Sequence, residues 1–442
     1  MFPNPQDSLP LPSRPNVEQY KKLAKDLVRA SKSAKPDGVR QWASDWIHNL
    51  TRLSALQITP GLPVETGRWI DEVTEFATQR LLSNERKNSL ADAQFVIARS
   101  HGFASWPKFA LHLEQLAQQK SSTSQFEAAA DAIVSGDLPA LQRLLRESPE
   151  LVRERSTREH HATLLHYTSA NGVEGYRQRT PNNIVEIANL LLQSGSQIDA
   201  EADVYGGGCT TLGLAATSVH PETAGVQESL LQFLLDHGAQ IEKPNLAGNN
   251  HSAVIACLAN GRSRAAEFLA AHGARLDLDS AAGIGRLDVV ESFFASDGNL
   301  KPNATKQQLQ HGFLWACMYG RETVAEFLLD HGADLLHGAN SGATPLHWAA
   351  AGAHLNLVRL LLDRHAPLEE LNQWGGTVLE HAGWGFEHNP PGPDFAPVFE
   401  TLLASGAKIR GNWLAWIEKL KNRTPNEKAH VAEIFRRHGA TA

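Results

Sequence analysis

The sequence predicts an all-α protein: a solenoid of helix–turn–helix repeats preceded by a helical N-terminal cap. Three observations predict it. The first is the stretch Thr344-Pro345-Leu346-His347-Trp348-Ala349-Ala350, followed by Gly352, His354 and Leu355-Asn356-Leu357-Val358, then Leu360-Leu361-Leu362. Thr344 suits the N-cap of a short helix and Pro345 its first position, where a missing N–H costs nothing. Leu346, Ala349 and Ala350 make a narrow apolar face, and Leu357, Val358, Leu361 and Leu362 recur at helical spacing on a second helix. Such a unit cannot bury its own apolar face, so stacked copies are expected. The second observation is that copies exist. Second-helix endings fall at Gly195, Gly238, Gly273, Gly298, Gly332, His365, Gly406 and Gly439, about 43, 35, 25, 34, 33, 41 and 33 residues apart. The third is that the pattern between Asn16 and about Gln119 is helical without repeating.

In chain order, residues 1–15 are rich in Pro and Ser and are expected to form a mobile leader. Residues 16–120 are expected to be a helical domain. Val17, Tyr20, Leu23, Ala24, Leu27 and Val28 make one amphipathic face, and Val39, Trp42, Trp46, Ile47 and Leu50 another. Gly102 suits the residue just past a helix end, and Ser105 an N-cap with Pro107 just inside the next helix. A Ser and Gln cluster at 118–125 marks a joint, and residues 121–442 are expected to hold about 8–9 repeats, including degenerate ends at Gln125–Arg155 and Asn412–His438.

The Thr-Pro-Leu-His motif at Thr344 and the period of about 33 residues resemble those of ankyrin repeats. Eroded forms stand at Thr163-Leu164-Leu165-His166, Thr210-Thr211-Leu212-Gly213 and Thr377-Val378-Leu379-Glu380. The chain thus resembles bacterial ankyrin-repeat proteins with a helical N-terminal region. The resemblance implies short finger hairpins between the helix pairs and a concave face, made of fingers and first helices, that binds another protein.

Composition narrows the function classes. A net charge of −7 disfavours nucleic acid, which needs a basic face to neutralise phosphates. The basic run from Lys21 to Lys35 is diluted by Glu18, Asp26 and Asp37, and reads as a solvated helix face. No stretch approaches the roughly 20 apolar residues of a membrane span, and the start lacks the features of a signal peptide, so a cytoplasmic protein is expected. Cys209, Cys257 and Cys317 read as small buried hydrophobes. No His-Glu-x-x-His, paired Cys-x-x-Cys, phosphate-cradling loop or nucleophile elbow is present, so neither metal nor cofactor is expected. His166, His347, His354, His365 and the His-Gly-Ala histidines at 237, 272, 331 and 438 fit structural places in the repeats. His160, His161, His220, His251 and His381 are left over.

Function is sought where the repeats depart from their pattern. One insertion, Val173 to Asn183, carries Glu174, Tyr176, Arg177 and Arg179, a composition suited to carboxylate, phosphate or peptide recognition. Others lie around Ser218–Glu222, with His220, and His388–Pro393. The finger Asp203–Cys209 holds Tyr205 and three consecutive glycines, and Trp374 lies in a later finger. The expected partner contacts are therefore Glu174, Tyr176, Arg177, Arg179, Tyr205, His220 and Trp374, on a protein-binding scaffold. The alternative is a small-molecule binder or enzyme with a pocket closed by the inserted loops, which would bring Arg177, His220 and His381 together.

Overall fold

The computed structural model describes residues 4–33, 37–53, 62–82, 89–118, 120–242, 252–338, 341–390 and 392–441. Helix predominates throughout, and the all-α solenoid is what the chain forms. It divides into two compact units, Met1–Asn250 and His251–Ala442.

The first unit begins with the helices Val17–Ser31, Gly38–Leu53, Leu62–Leu82, Leu90–Ser100 and Trp106–Leu116. Tyr20, Ala24 and Leu27 of the first and Trp42, Trp46, Ile47 and Leu50 of the second are buried in one core. Gly102 takes φ 82° at the turn after Ser100. Ser105 is the N-cap residue of the next helix, although its side chain makes no capping bond. The basic side chains from Lys21 to Lys32 face solvent, while Lys35 and His251 lie outside the described residues.

Two expectations about this unit need correction. Residues 4–10 are not a mobile leader but a docked strap. The Leu9 N–H donates to the Ser100 carbonyl at 2.7 Å, the His101 Nδ1 lies 3.0 Å from the Leu9 carbonyl, and Leu9 is fully buried. Buried backbone groups need partners, and the end of the Leu90–Ser100 helix supplies them. Nor does the chain divide near residue 120. The Ser121 hydroxyl donates to the Gln115 carbonyl and the Thr123 hydroxyl to Gln115 Oε1, both at 2.6 Å, making the joint a tight turn between packed helices.

Repeats then follow: Ser122–Ser135 with Leu138–Glu147, the 3₁₀ turn Leu164–Ser169 with Ile184–Gln193, and Thr211–Thr217 with Gln227–Asp236. The finger before Thr211 is a hairpin pairing Glu201 with Thr210 and Ala202 with Cys209. Tyr205, Gly206, Gly207 and Gly208 all take positive φ, which explains three glycines in a row.

In the second unit the pairs are Ala253–Ala259 with Ser263–Ala271, Leu278–Gly283 with Leu287–Glu291, Lys306–Met318 with Glu322–Asp330, Pro345–Ala351 with Leu355–Asp363, Val378–His388 with Ala396–Ala404, and Trp413–Lys419 with Pro425–Arg437. All eight endings identified in the sequence have positive φ, His365 included at 65°. Gly298 alone of these sits away from its helix, in a loop closed by a Phe294–Leu300 bridge. The histidines fill structural roles: the Thr344 N–H donates to His347 Nδ1 at 3.1 Å, and the opposite ring nitrogen lies 3.3 Å from the Gly376 carbonyl. His166 repeats this arrangement with Thr163 and the Cys209 carbonyl. At the second-helix ends, His237, His272 and His331 each place Nδ1 within 2.8 Å of the carbonyl four residues back.

Candidate binding surface

The inserted segment at Val173–Asn183 turns two of its three charged side chains, Glu174 and Arg177, away from solvent. Its short 3₁₀ turn, Gly175–Arg177, turns Glu174 and Arg177 into the protein, where Glu174 is fully buried and Arg177 nearly so. They meet Glu127 from the helix Ser122–Ser135 and Arg158 from the following loop. Arg158 Nη1 lies 2.5 Å from Glu127 Oε1 and 2.9 Å from Glu174 Oε1. Arg177 Nη1 lies 2.8 Å from Glu127 Oε2, and its Nη2 lies 2.8 Å from Asp131 Oδ1. Arg158 Nη2 donates to the Tyr176 hydroxyl at 3.3 Å.

The electrostatics follow from this arrangement. Burial pushes the Glu127 carboxyl up, but the two guanidiniums outweigh it and hold the pKa at about 2. The same contest holds Glu174 well below the usual carboxylate range. Two carboxylates and two guanidiniums balance inside, so the cluster is a structural ion-pair core. Glu174 and Arg177 are therefore corrected from partner contacts to core residues, and Tyr176 is a half-buried lid on them.

The remaining expected residues are distributed as follows. Arg179 is exposed and His220 half-buried, its pKa lowered by burial. Tyr205 is exposed, with its hydroxyl 3.0 Å from Gln6 Oε1 and 2.9 Å from Asn171 Oδ1. Arg177 is committed to Glu127 and Asp131, so it does not join His220 in an open pocket. His381 belongs to the second unit, as does the loop at 388–393, in which Pro391 lies outside the described residues.

Trp374 stands at a different kind of place. It is 69% exposed at the tip of a finger, and Trp384, on the helix Val378–His388, is 48% exposed. With half-buried Trp348 on the neighbouring first helix they line a pocket of about 400 Å³, whose floor includes Asn372, Glu380 and His381. The His381 ring meets Trp348 edge-on at 5.0 Å and stacks on Trp384 at 5.5 Å. The sequence marks Trp384 as one of a cluster of aromatics in the last two repeats that would be an interface anchor if exposed, whereas Trp348 reads as core packing and Glu380 carries no signal of its own. The signal was present in the spacing: Trp348 and His381 occupy equivalent first-helix positions, and Trp384 lies three residues, about one helical turn, beyond His381.

Hydrogen bonding fixes the state of His381. The N–H groups of Trp374 and Gly376 donate to Asn372 Oδ1 at 3.0 and 2.9 Å, which leaves the Asn372 amide NH₂ to donate to His381 Nδ1 at 3.2 Å. With Nδ1 accepting, the ring carries its proton on Nε2. Burial, with His347 beside it, lowers the pKa to about 4, so the ring is neutral at pH 7. Among the described residues, the buried Nε2 has no hydrogen-bond partner. Glu380 points one oxygen back to cap its own helix, accepting from the Thr377 N–H at 2.7 Å.

Residues 278–372, in the same unit, match the family model of ankyrin repeats in three copies. The chain contains ankyrin repeats. It is also similar to the Drosophila melanogaster ankyrin repeat and KH domain-containing protein mask, 45% identical over 51 residues. That match covers 12% of this chain and spans only 1% of that relative's length. Ankyrin repeats are, in general, protein-interaction modules. Among the described residues, no helix is long and apolar enough to cross a membrane, and no cluster of His, Cys, Asp or Glu is arranged to hold a metal ion.

Proposed function

We propose that this chain is a cytoplasmic protein-binding ankyrin scaffold, and that it engages its partner through the fingers and first helices of its second unit. The observation that carries the proposal is the exposure of Trp374 and Trp384 around one pocket, with the exposed finger leucines Leu336 and Leu371 in the same unit. Large apolar groups gathered on a folded surface mark interaction sites, and Trp is enriched among residues that dominate binding energy. An odd count of three widely separated cysteines suits a reducing compartment. In this reading Arg179, Tyr205 and His220 are peripheral, since they surround no comparable apolar surface.

The test is affinity capture from lysate of the native organism, with wild-type bait beside a Trp374→Ala, Trp384→Ala variant whose circular dichroism and melting match wild type. The expected result is a protein retained by wild type and lost by the variant. Equal capture by both baits would move the interface elsewhere.

A further inference from the structure

The pocket framed by Trp348, Trp374 and Trp384 has a composition that a purely apolar anchor would not require. Its aromatic lining comes from three separate places, two neighbouring first helices and one finger, and the Trp384 ring is itself stacked with His381 at 5.5 Å and His388 at 4.9 Å. Glu380 lines it with one carboxylate oxygen engaged in the capping box. An adjoining pocket of about 330 Å³ shares Glu380 and Trp384 and adds Glu387. Arg410, which also lines this second pocket, is held by Glu369 at 2.8 Å. The neutral His381 adds no positive charge. The pair of pockets therefore combines aromatic faces with carboxylates, the arrangement that attracts a cation over a ring face.

We propose that the Trp348–Trp374–Trp384 pocket binds an arginine side chain of a peptide segment in the partner, with the guanidinium against the tryptophans and facing Glu380. This rests on the protein-binding reading and names what that surface recognises. A guanidinium is favoured over a lysine ammonium because it is planar, stacks on indole faces and is more weakly hydrated, so a largely aromatic pocket desolvates it at lower cost. A peptide is favoured over a free amine because the surface is read as a protein-binding one, whose ligand presents its arginine on a backbone.

The test uses the full chain and three blocked tetrapeptides of arginine, citrulline and lysine at physiological salt. Binding is followed by calorimetry and by the indole N–H resonances of Trp374 and Trp384, assigned by substitution. Tetra-arginine should bind and move both resonances, tetra-lysine should bind several-fold more weakly, and tetra-citrulline, which keeps the shape without the charge, should not bind. Trp374→Ala should weaken tetra-arginine by about thirtyfold, the scale of a desolvated cation–π contact. Glu380→Gln should also weaken it, while leaving the helix intact, because glutamine serves equally in a capping box.

Equal binding of the citrulline peptide would assign the pocket to an uncharged occupant and overturn the proposal. So would tetra-arginine binding that ignores both substitutions, or no binding at millimolar peptide. The two readings fail separately. Loss of partner capture in the Trp374→Ala, Trp384→Ala variant without tetra-arginine binding keeps the interaction surface and removes the arginine. Tetra-arginine binding with capture unaffected keeps the pocket chemistry and removes the surface as the interface for that partner.

Discussion

The Arg177 loop and the Trp374 finger are both places where a repeat carries more chemistry than stacking requires, yet they face opposite ways. In the loop, Glu174 and Arg177 turn inward and balance the charges of Arg158 and Glu127, so the cluster is neutral inside the protein. Around the finger, the exposed indole rings of Trp374 and Trp384 and the Glu380 carboxylate surround an open pocket. The difference teaches that a rich composition does not by itself mark a binding site. What separates the two regions is whether the groups are buried with their charges balanced, as at Glu174 and Arg177, or left exposed, as at Trp374 and Trp384.

Substitutions should break this comparison unequally. Arg177→Ala leaves Glu127 buried with half its compensation, and should destabilise the first unit by about 3–5 kcal/mol, the range for breaking a buried ion pair. Denaturant unfolding monitored through the first unit's tryptophans checks it. A loss near zero would mean that the loop opens readily to solvent.

Acid should act in the same direction. His101, whose pKa burial lowers to about 3, stays neutral in the folded protein while the unfolded chain takes up a proton near 6.5. His112 and His166 behave alike, at about 4. Each depressed pKa means stability that is present above the unfolded value and lost as pH falls toward the folded one. Glu127 adds a further loss between about 4.5 and 2. Unfolding midpoints measured from pH 7 to pH 3 should therefore fall steadily, beginning below about 6.5, where a network of carboxylates alone would begin near 4.5.

A smaller effect belongs to the strap. A Cβ on Gly175 would clash with the Gln6 carbonyl oxygen, so Gly175→Ala should displace residues 4–10 and cost about 1–3 kcal/mol, the range for overpacking. Limited proteolysis should then cleave the N-terminal segment faster than in wild type. Smallest of all, Trp374→Ala should change stability by no more than about 0.5 kcal/mol, as expected for an exposed side chain, while removing partner binding. A large stability loss there would make Trp374 a packing residue.

Much of the fold was legible because its signals are local. Thr344 and His347 lie within one helical turn, and the helix endings recur along the sequence, so motif and count could be read directly. The fate of the inserted loop was not. Arg177 finds Glu127 and Asp131 some 46 to 50 residues earlier, and Glu174 finds Arg158 across a turn. No local pattern says that such partners will converge. The leader was misread for a similar reason: Pro and Ser describe its conformation, whereas its burial depends on Ser100 and His101, about ninety residues away. The role of His381 depends on an amide nine residues earlier, held by a finger that had first to fold.

The most direct test of the binding surface is hydrogen–deuterium exchange on the full chain with and without its captured partner. The account predicts slowed exchange across residues 371–388, which hold the Trp374 finger and the Trp384 helix, and unchanged exchange across residues 173–183. Protection confined to residues 173–183 would contradict it, because it would return recognition to the loop whose Glu174 and Arg177 are buried in the protein.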